Sequence, residues 1–506
     1  MKAITADLLL PIEDQGFPRS LLLPLAAGMA FNLASLAVAN PYLMLAIGSA
    51  NALILTLVYL KRPSLGWVAF VATCAASPAN LGTPIATNIL CALCLFAISP
   101  ISGWKRLPGF VKVILAFALL STMVSILASS TQVPNIPSIR TNNLSRPRPW
   151  MMTWSGGVTF ETLINQAVSS VNYLLGPFLL IPFTFSRITK GRSPEQLLRL
   201  FLLSLVIPSL IIFFLARNLG HPIMSATEMR AEIVNISAFR LGKLDIQMLR
   251  TQVGIIIAAL LVGSFSVVVS PVQRLNRCLA LACLLGSLYL LLTTGSVGST
   301  FAALIGMTLV LLLNIRRFSW KRYFAIGTIS VLLTLVGFAA LPPNTRNYAY
   351  SRYEARVGSH GSSMEDRTWR WRKAANYMLD NPSGTGWSLW VEPLNTFPHN
   401  DFLSYGIAFG MLCGFLYFLL PFLAFLSLSS FAFFNHTNTS TSLICLASAG
   451  AGITLAVMIN SMSDHMTADR WYFNVAWSLV WFCYFACRPS RTSIGNYAPP
   501  QEPARY

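Results

Sequence analysis

Between Arg367 and Gly414 the chain reads RTWRWRKAANYMLDNPSGTGWSLWVEPLNTFPHNDFLSYGIAFGMLCG, a stretch that sets a candidate base beside a candidate anion cradle. His399 follows Pro398 and stands just before an apolar run, so it is expected at the mouth of a helix. The positive end of a helix dipole disfavours imidazolium, which keeps such a ring neutral and able to accept a proton at ordinary pH. A neutral histidine is a usable general base. Asn400 is placed to orient the ring or an incoming hydroxyl, with Asp401 as a supporting partner. Upstream, Arg367, Arg370, Arg372 and Lys373 crowd around Trp371. Guanidinium forks match phosphate oxygens bidentately, so this cluster suits a diphosphate.

A helix must present those cations. Ser362 and Glu365 have the S-x-x-E spacing of a capping box, and the composition after them favours helix until Asn381, Pro382 and Gly384 stop it. On that helix Arg367 and Trp371 share a face at i and i+4, with Arg370 and Lys373 on a neighbouring face. The plain alternative is an amphipathic helix lying on lipid headgroups with snorkelling cations. SGTG at 383–386 makes a flexible turn but lacks the lysine of a phosphate-binding loop, so nucleotide binding is unsupported.

The surrounding chain is apolar. Of 506 residues 55% are hydrophobic and only 10% charged, with a mean hydropathy of +0.60, which excludes an ordinary soluble domain. The expected fold is an all-α polytopic membrane protein of about fourteen transmembrane helices, with twelve as the lower bound. Spans are expected at 20–39, 42–60, 64–80, 83–100, 110–128, 161–183, 197–216, 251–270, 278–294, 299–314, 323–341, 401–425, 440–460 and 470–487. Pro78 and Pro84 weaken the third and fourth.

The net charge of +19 comes from short basic clusters between spans, which in a membrane protein is an orientation signal and no sign of nucleic-acid binding. The clusters at Lys61 and Arg62, Lys105 and Arg106, 187–192, Arg274 and Arg277, and 316–322 follow even-numbered spans. The positive-inside rule makes those loops cytoplasmic, together with both termini. Three longer loops, 129–160, 217–250 and 342–400, then face outward although they are basic. Long segments cross with little regard for charge, which accounts for part of this, and an anionic ligand at the outer face accounts for the rest.

Domain boundaries follow: a bundle at 1–341, the large outer loop at 342–400 before the third-last helix, the last helices at 401–487, and a polar, Pro-rich cytoplasmic tail at 488–506 expected to be disordered. The first apolar run is long and preceded by Asp7, Glu13 and Asp14, unlike a cleaved signal peptide. All nine cysteines lie in or beside apolar runs; even the C-x-x-C at Cys91 and Cys94 reads as packing, so neither disulfide nor metal is expected. Asp464 beside His465 is the alternative acid and base pair on the outer face, whereas His221, His360 and His436 are weaker. The first outer loop, around Asn40 and Pro41, has no D-x-D, which argues against a metal-dependent oligosaccharyltransferase.

The order Arg367 and Trp371, then Asn381, Pro382, Gly384 and Gly386, then His399, Asn400 and Leu403, with Gly410 and Gly414 beyond, resembles the O-antigen ligase and polymerase superfamily. That resemblance implies an inverting, metal-independent membrane glycosyltransferase of the GT-C class, without cofactor, in the bacterial inner membrane. Its donor is a polyprenyl-diphosphate-linked glycan and its active site faces the periplasm. By position His399 is similar to the family's loop histidine, a base or acceptor-orienting residue, and Arg367 to its loop arginine. Arg240 and Lys243 in R-L-G-K, followed by Arg250, resemble the upstream arginines that hold the lipid diphosphate. Trp371, Gly384, Gly386 and Asp401 take supporting roles. Where many members have Ser-Arg-Gly, this chain has Ser296, Val297 and Gly298, so one cation is missing.

Three acceptors fit such an enzyme: another lipid-linked repeat unit, lipid A core, or a protein hydroxyl. The first is favoured, since no extra soluble domain is seen for a protein acceptor, and chain-length or other polysaccharide assembly proteins are then expected partners. A lipid-linked oligosaccharide flippase is the reading from a different class, disfavoured because no two similar halves are seen.

Overall fold

A computed structural model describes residues 41–76, parts of 108–124, 188–189, 192–218, 236–241, 244–294, 296–317, 319–341, single positions between 343 and 354, 362–384, 400–435, 439–463 and 470–488. The helices are α1 (Pro41–Lys61), α2 (Pro63–Ala76), α3 (Pro194–Asn218), α4 (Arg250–Val269), α5 (Arg274–Thr294), α6 (Val297–Leu313), α7 (Trp320–Ala339), α8 (Ser362–Asp380), α9 (Asp401–Phe409), α10 (Met411–Phe434), α11 (Thr441–Ser463) and α12 (Arg470–Ala486). Proline opens α1, α2 and α3, a position where its missing N–H breaks no helical bond. Before α3 a reciprocal capping box closes the end: Gln196 N donates to Ser193 Oγ at 3.3 Å and Ser193 N to Gln196 Oε1 at 3.0 Å.

Four described helices are long and apolar enough to cross a membrane, at Pro194–Phe213, Arg274–Leu292, Met411–Phe434 and Thr441–Met462, and shorter apolar helices accompany them. This is a multi-pass membrane protein. The expected spans at 20–39, 83–100 and 161–183 lie outside the described residues.

Two features depart from the expected all-helical chain. The first is a hairpin within the loop expected at 217–250, where β1 (Ile236–Leu241) pairs antiparallel with β2 (Leu244–Leu249), Arg240 opposite Asp245. Its cause is period-two patterning: Phe239, Leu241, Leu244, Ile246 and Met248 alternate with Ala238, Arg240, Asp245 and Gln247. The second is the span expected at 401–425, which is two helices. Gly410 has φ +95°, and α9 folds back on α10 there. Phe402 and Phe418 would lie about 24 Å apart in one continuous helix, yet their rings are 5.1 Å apart, and Tyr405 stacks on Tyr417 at 3.9 Å.

The core centres on α4 and α11. Buried Ala447, Ser448, Ala449, Gly450, Ala451 and Gly452 let neighbouring backbones come close to α11, the usual route to tight packing where lipid gives no hydrophobic drive between helices. Polar side chains in this core find partners across helices. Ser266 Oγ donates to Cys445 O at 3.0 Å, Asn314 Nδ2 to Ser448 Oγ at 3.2 Å, and Trp67 Nε1 to Ser204 Oγ at 2.9 Å. Phe482 of α12 stacks with Trp67 and Phe201, at 6.2 Å and 6.0 Å, and so ties α2 and α3 to the centre. Gly254 near the start of α4 packs on Ser296 and Ser299 at the start of α6. The openings of these two helices therefore share one end of the bundle.

A side chain at Gly306 would meet Gly452 O at 2.8 Å and Val262 Cγ2 at 2.9 Å. Gly306→Val should therefore cost about 1–3 kcal/mol and lower the temperature at which the detergent-solubilised protein loses its monodisperse peak. Gly286→Ala, with open space around it, should leave that temperature unchanged or raise it.

Candidate active site

The helix expected over the cationic run is α8, and it ends where Asn381, Pro382 and Gly384 stop it. Its inner side is anchored by Ala374, which is buried, and by Met378, whose sulfur lies against Gly406 of α9. Arg367, Arg370, Trp371 and Lys373 are half-buried, while Trp369 and Arg372 are exposed. Lys373 Nζ stands 5.5 Å from the Trp369 ring centre, and the Trp371 indole N–H is buried with no acceptor among the described residues.

The turn after α8 docks on the α9–α10 reversal. Asn381 Nδ2 donates to Tyr377 O at 3.0 Å and Gly384 N to Asn381 O at 3.0 Å, so the turn closes on itself. Its Pro382 carbonyl then accepts Met411 N at 2.9 Å, one of the amides that the start of α10 leaves without a helical partner. Both touching residues are glycines with positive φ, +81° at Gly384 and +95° at Gly410. A Cβ at Gly384 would overlap Gly410 N, and one at Gly410 would meet Pro382 O and Ser383 O at 3.0 Å. Across the fold-back Gly414 lies against Gly406, where a Cβ would be 2.8 Å from the Gly406 Cα. From the other side Ser121 Oγ donates to Phe409 O at 2.9 Å and takes up a carbonyl that the break exposes.

Because α9 folds back, its N-terminus is carried about 15 Å along α10 and ends inside the protein. Asn400 is 7% exposed and Asp401 0%. Asn400 is the N-cap: its Oδ1 accepts Leu403 N at 3.2 Å and its carbonyl accepts Ser404 Oγ at 2.9 Å. Its amide oxygen is thus already engaged, which leaves the Nδ2 protons for any partner outside the cap. Asp401 occupies the first turn, where the positive helix end favours a carboxylate.

The other expected site residues are less closely joined. Arg240 lies on β1 and Arg250 opens α4, one turn before the Gly254 contact with Ser296, so Arg250 sits at the bundle end where the Ser-Arg-Gly arginine is missing. Among the described residues no substantial contact joins the hairpin to α8. His399, Lys243, Gly386, His465 and Asp464 lie outside the described residues. No group of three or more His, Cys, Asp or Glu able to hold a metal occurs among the described residues. Sequence reasoning missed Gly406 and Ser121; for Gly406 the spacing Gly406, Gly410 and Gly414 was an available signal of close packing.

Two substitutions separate capping from other uses of this end. Asn400→Ala should cost about 1 kcal/mol of stability, whereas Asn400→Asp should keep the cap and the thermal midpoint. Gly410→Ala should cost about 1–3 kcal/mol from its positive-φ, extended backbone alone, and the carbonyls of Pro382 and Ser383 should add to the loss.

No curated protein matches the chain. Residues 279–419 match the family model described as O-antigen ligase, a segment running from α5 through the cationic helix and the fold-back into α10. Over that segment the chain is similar to the O-antigen ligase family.

Proposed function

We propose that the protein is a membrane glycosyltransferase of surface polysaccharide assembly that takes its glycan from a polyprenyl diphosphate carrier. The carrying observation is that one matched segment holds both the arginine-bearing α8 and the buried Asn400 cap, tied together at Gly384 and Gly410. In the proposed reaction an acceptor hydroxyl attacks the anomeric carbon, the bond from that carbon to the diphosphate oxygen breaks, and the configuration inverts. His399 takes the hydroxyl proton. Arg367 and Arg370, with Arg240, Lys243 and Arg250, stabilise the charge that grows on the leaving diphosphate, which in a water-poor site is a large catalytic term. Neutralised in this way, diphosphate leaves without a metal ion.

The same reading includes about fourteen spans, a GT-C architecture and an inner-membrane location with cytoplasmic termini and an outward site. The basic clusters after even-numbered spans support that orientation. The favoured acceptor is another lipid-linked repeat unit, which makes the protein a polymerase. Transfer to lipid A core is the second reading, favoured by the description of the matching family.

A deletion strain complemented with variants tests both levels. His399→Ala, with membrane expression confirmed, should abolish the glycan that the wild-type gene restores; undiminished glycan overturns the catalytic assignment. In the deletion strain itself, surface glycan capped with a single repeat supports the polymerase. Polymer stranded on the lipid carrier contradicts it and supports the ligase.

A further inference from the structure

At the far end of α10 from Gly410 is a cavity of about 320 Å³, lined among others by Ser427, Ser430, Phe431 and Phe434 of α10 and by Tyr484 and Arg488 at the end of α12. The 24 residues of α10 span about 36 Å, so the cavity and the reversal at Gly410 are a bilayer apart. It is open on one side, and its walls mix apolar side chains with serines and a cation. Arg488 stands at its mouth, exposed, with Nη2 donating to Ser427 Oγ at 3.1 Å and its guanidinium 4.7 Å from the Tyr484 ring centre. Tyr484 is 1% exposed, yet its hydroxyl is buried without a hydrogen-bond partner among the described residues. The Tyr484 side chain is one wall of the cavity, and Arg488 lies over its ring.

Arg316 lies 4.4 Å from the ring centre of Phe433, next to the lining Phe434. Among the described residues no Asp or Glu occurs at 312–317, 319–323, 427–435, 439–445 or 484–488. Phe434 is 69% exposed, so the apolar wall continues onto the exposed side of α10. A ligand with a phosphate and an apolar tail matches all of these features; a free anion leaves the apolar wall unused.

We propose that this cavity binds the phosphate headgroup of an anionic phospholipid, held by Arg488 and the serines of α10, with its acyl chains along α10. The leaflet that supplies the lipid, the inner one, rests on the orientation proposed above; the site itself does not. Arg488 is better suited than lysine here because its fork can hold Ser427 and a phosphate oxygen together.

Full-length protein in detergent, mixed with phosphatidylglycerol or phosphatidylcholine and read by native mass spectrometry, tests this. The wild type should retain phosphatidylglycerol preferentially, and Arg488→Gln should weaken retention by about tenfold. Lys321→Gln, which removes an exposed cation outside the cavity, should change nothing. Retention unaffected by Arg488→Gln, or equally reduced by Lys321→Gln, overturns the site in favour of general surface charge. Displacement of the lipid by millimolar inorganic phosphate overturns the lipid assignment in favour of a free anion. His399→Ala should lose glycan synthesis and keep the lipid, so failure of the proposed reaction and failure of this site give different results.

Discussion

One contact organises the part of this molecule that carries the cationic helix: the turn Asn381–Gly384 seated on the backbone at Gly410. Residues 382–384 and 409–411 approach closely enough that neither Gly384 nor Gly410 has room for a side chain. Both have left-handed φ values that other residues reach only at a cost. The bond from Met411 N to Pro382 O then joins an amide lacking a helical partner to a turn carbonyl. Without that seat, α8 would be attached to the bundle chiefly through Ala374 and Met378, and nothing would set its arginines relative to the Asn400 cap.

The fold-back explains how a polar helix start can be buried. An N-terminus inside a membrane protein leaves amide protons that must find acceptors or pay a desolvation penalty. Asn400 supplies one acceptor through Oδ1, and the carboxylate of Asp401 lies in the same first turn. Beneath it, Tyr405 on Tyr417 and Phe402 on Phe418 fix the angle between the two helices. The seat at Gly410, the close approach of Gly406 to Gly414, and the buried cap are therefore consequences of one reversal. The bundle gives this reversal a firm base, because α11 is buried along most of its length and Tyr417 packs on Trp477 of α12.

Much of this was legible in the residues. The capping signal at Ser362 and Glu365 and the stop at Asn381–Gly384 marked α8 because helix ends depend on local chemistry. Apolar length marked α3, α5, α10 and α11. The reversal was not legible, because 402–425 reads as one apolar run and a glycine inside such a run is commonly tolerated in a membrane helix. Only the partner turn, many residues earlier, turns Gly410 into a break. The hairpin was hidden for another reason: its period-two pattern lies in a loop that composition assigned to solvent, and it sets Arg240 opposite Asp245. Asn400, chosen as a residue that orients a base, proved to be a helix cap first.

The central claim, that the turn is seated on the reversal in the functioning protein, is tested most directly by a locked pair. Ser383→Cys and Met411→Cys place two exposed positions on opposite sides of the contact. A short bifunctional thiol reagent, applied to native membranes and followed by mass spectrometry of the digested protein and by glycan synthesis, reports both proximity and function. The seated turn predicts a cross-link in the resting protein and continued glycan synthesis by the locked form. Absence of the cross-link in well-expressed protein, or a cross-linked protein that no longer makes glycan, would contradict the account.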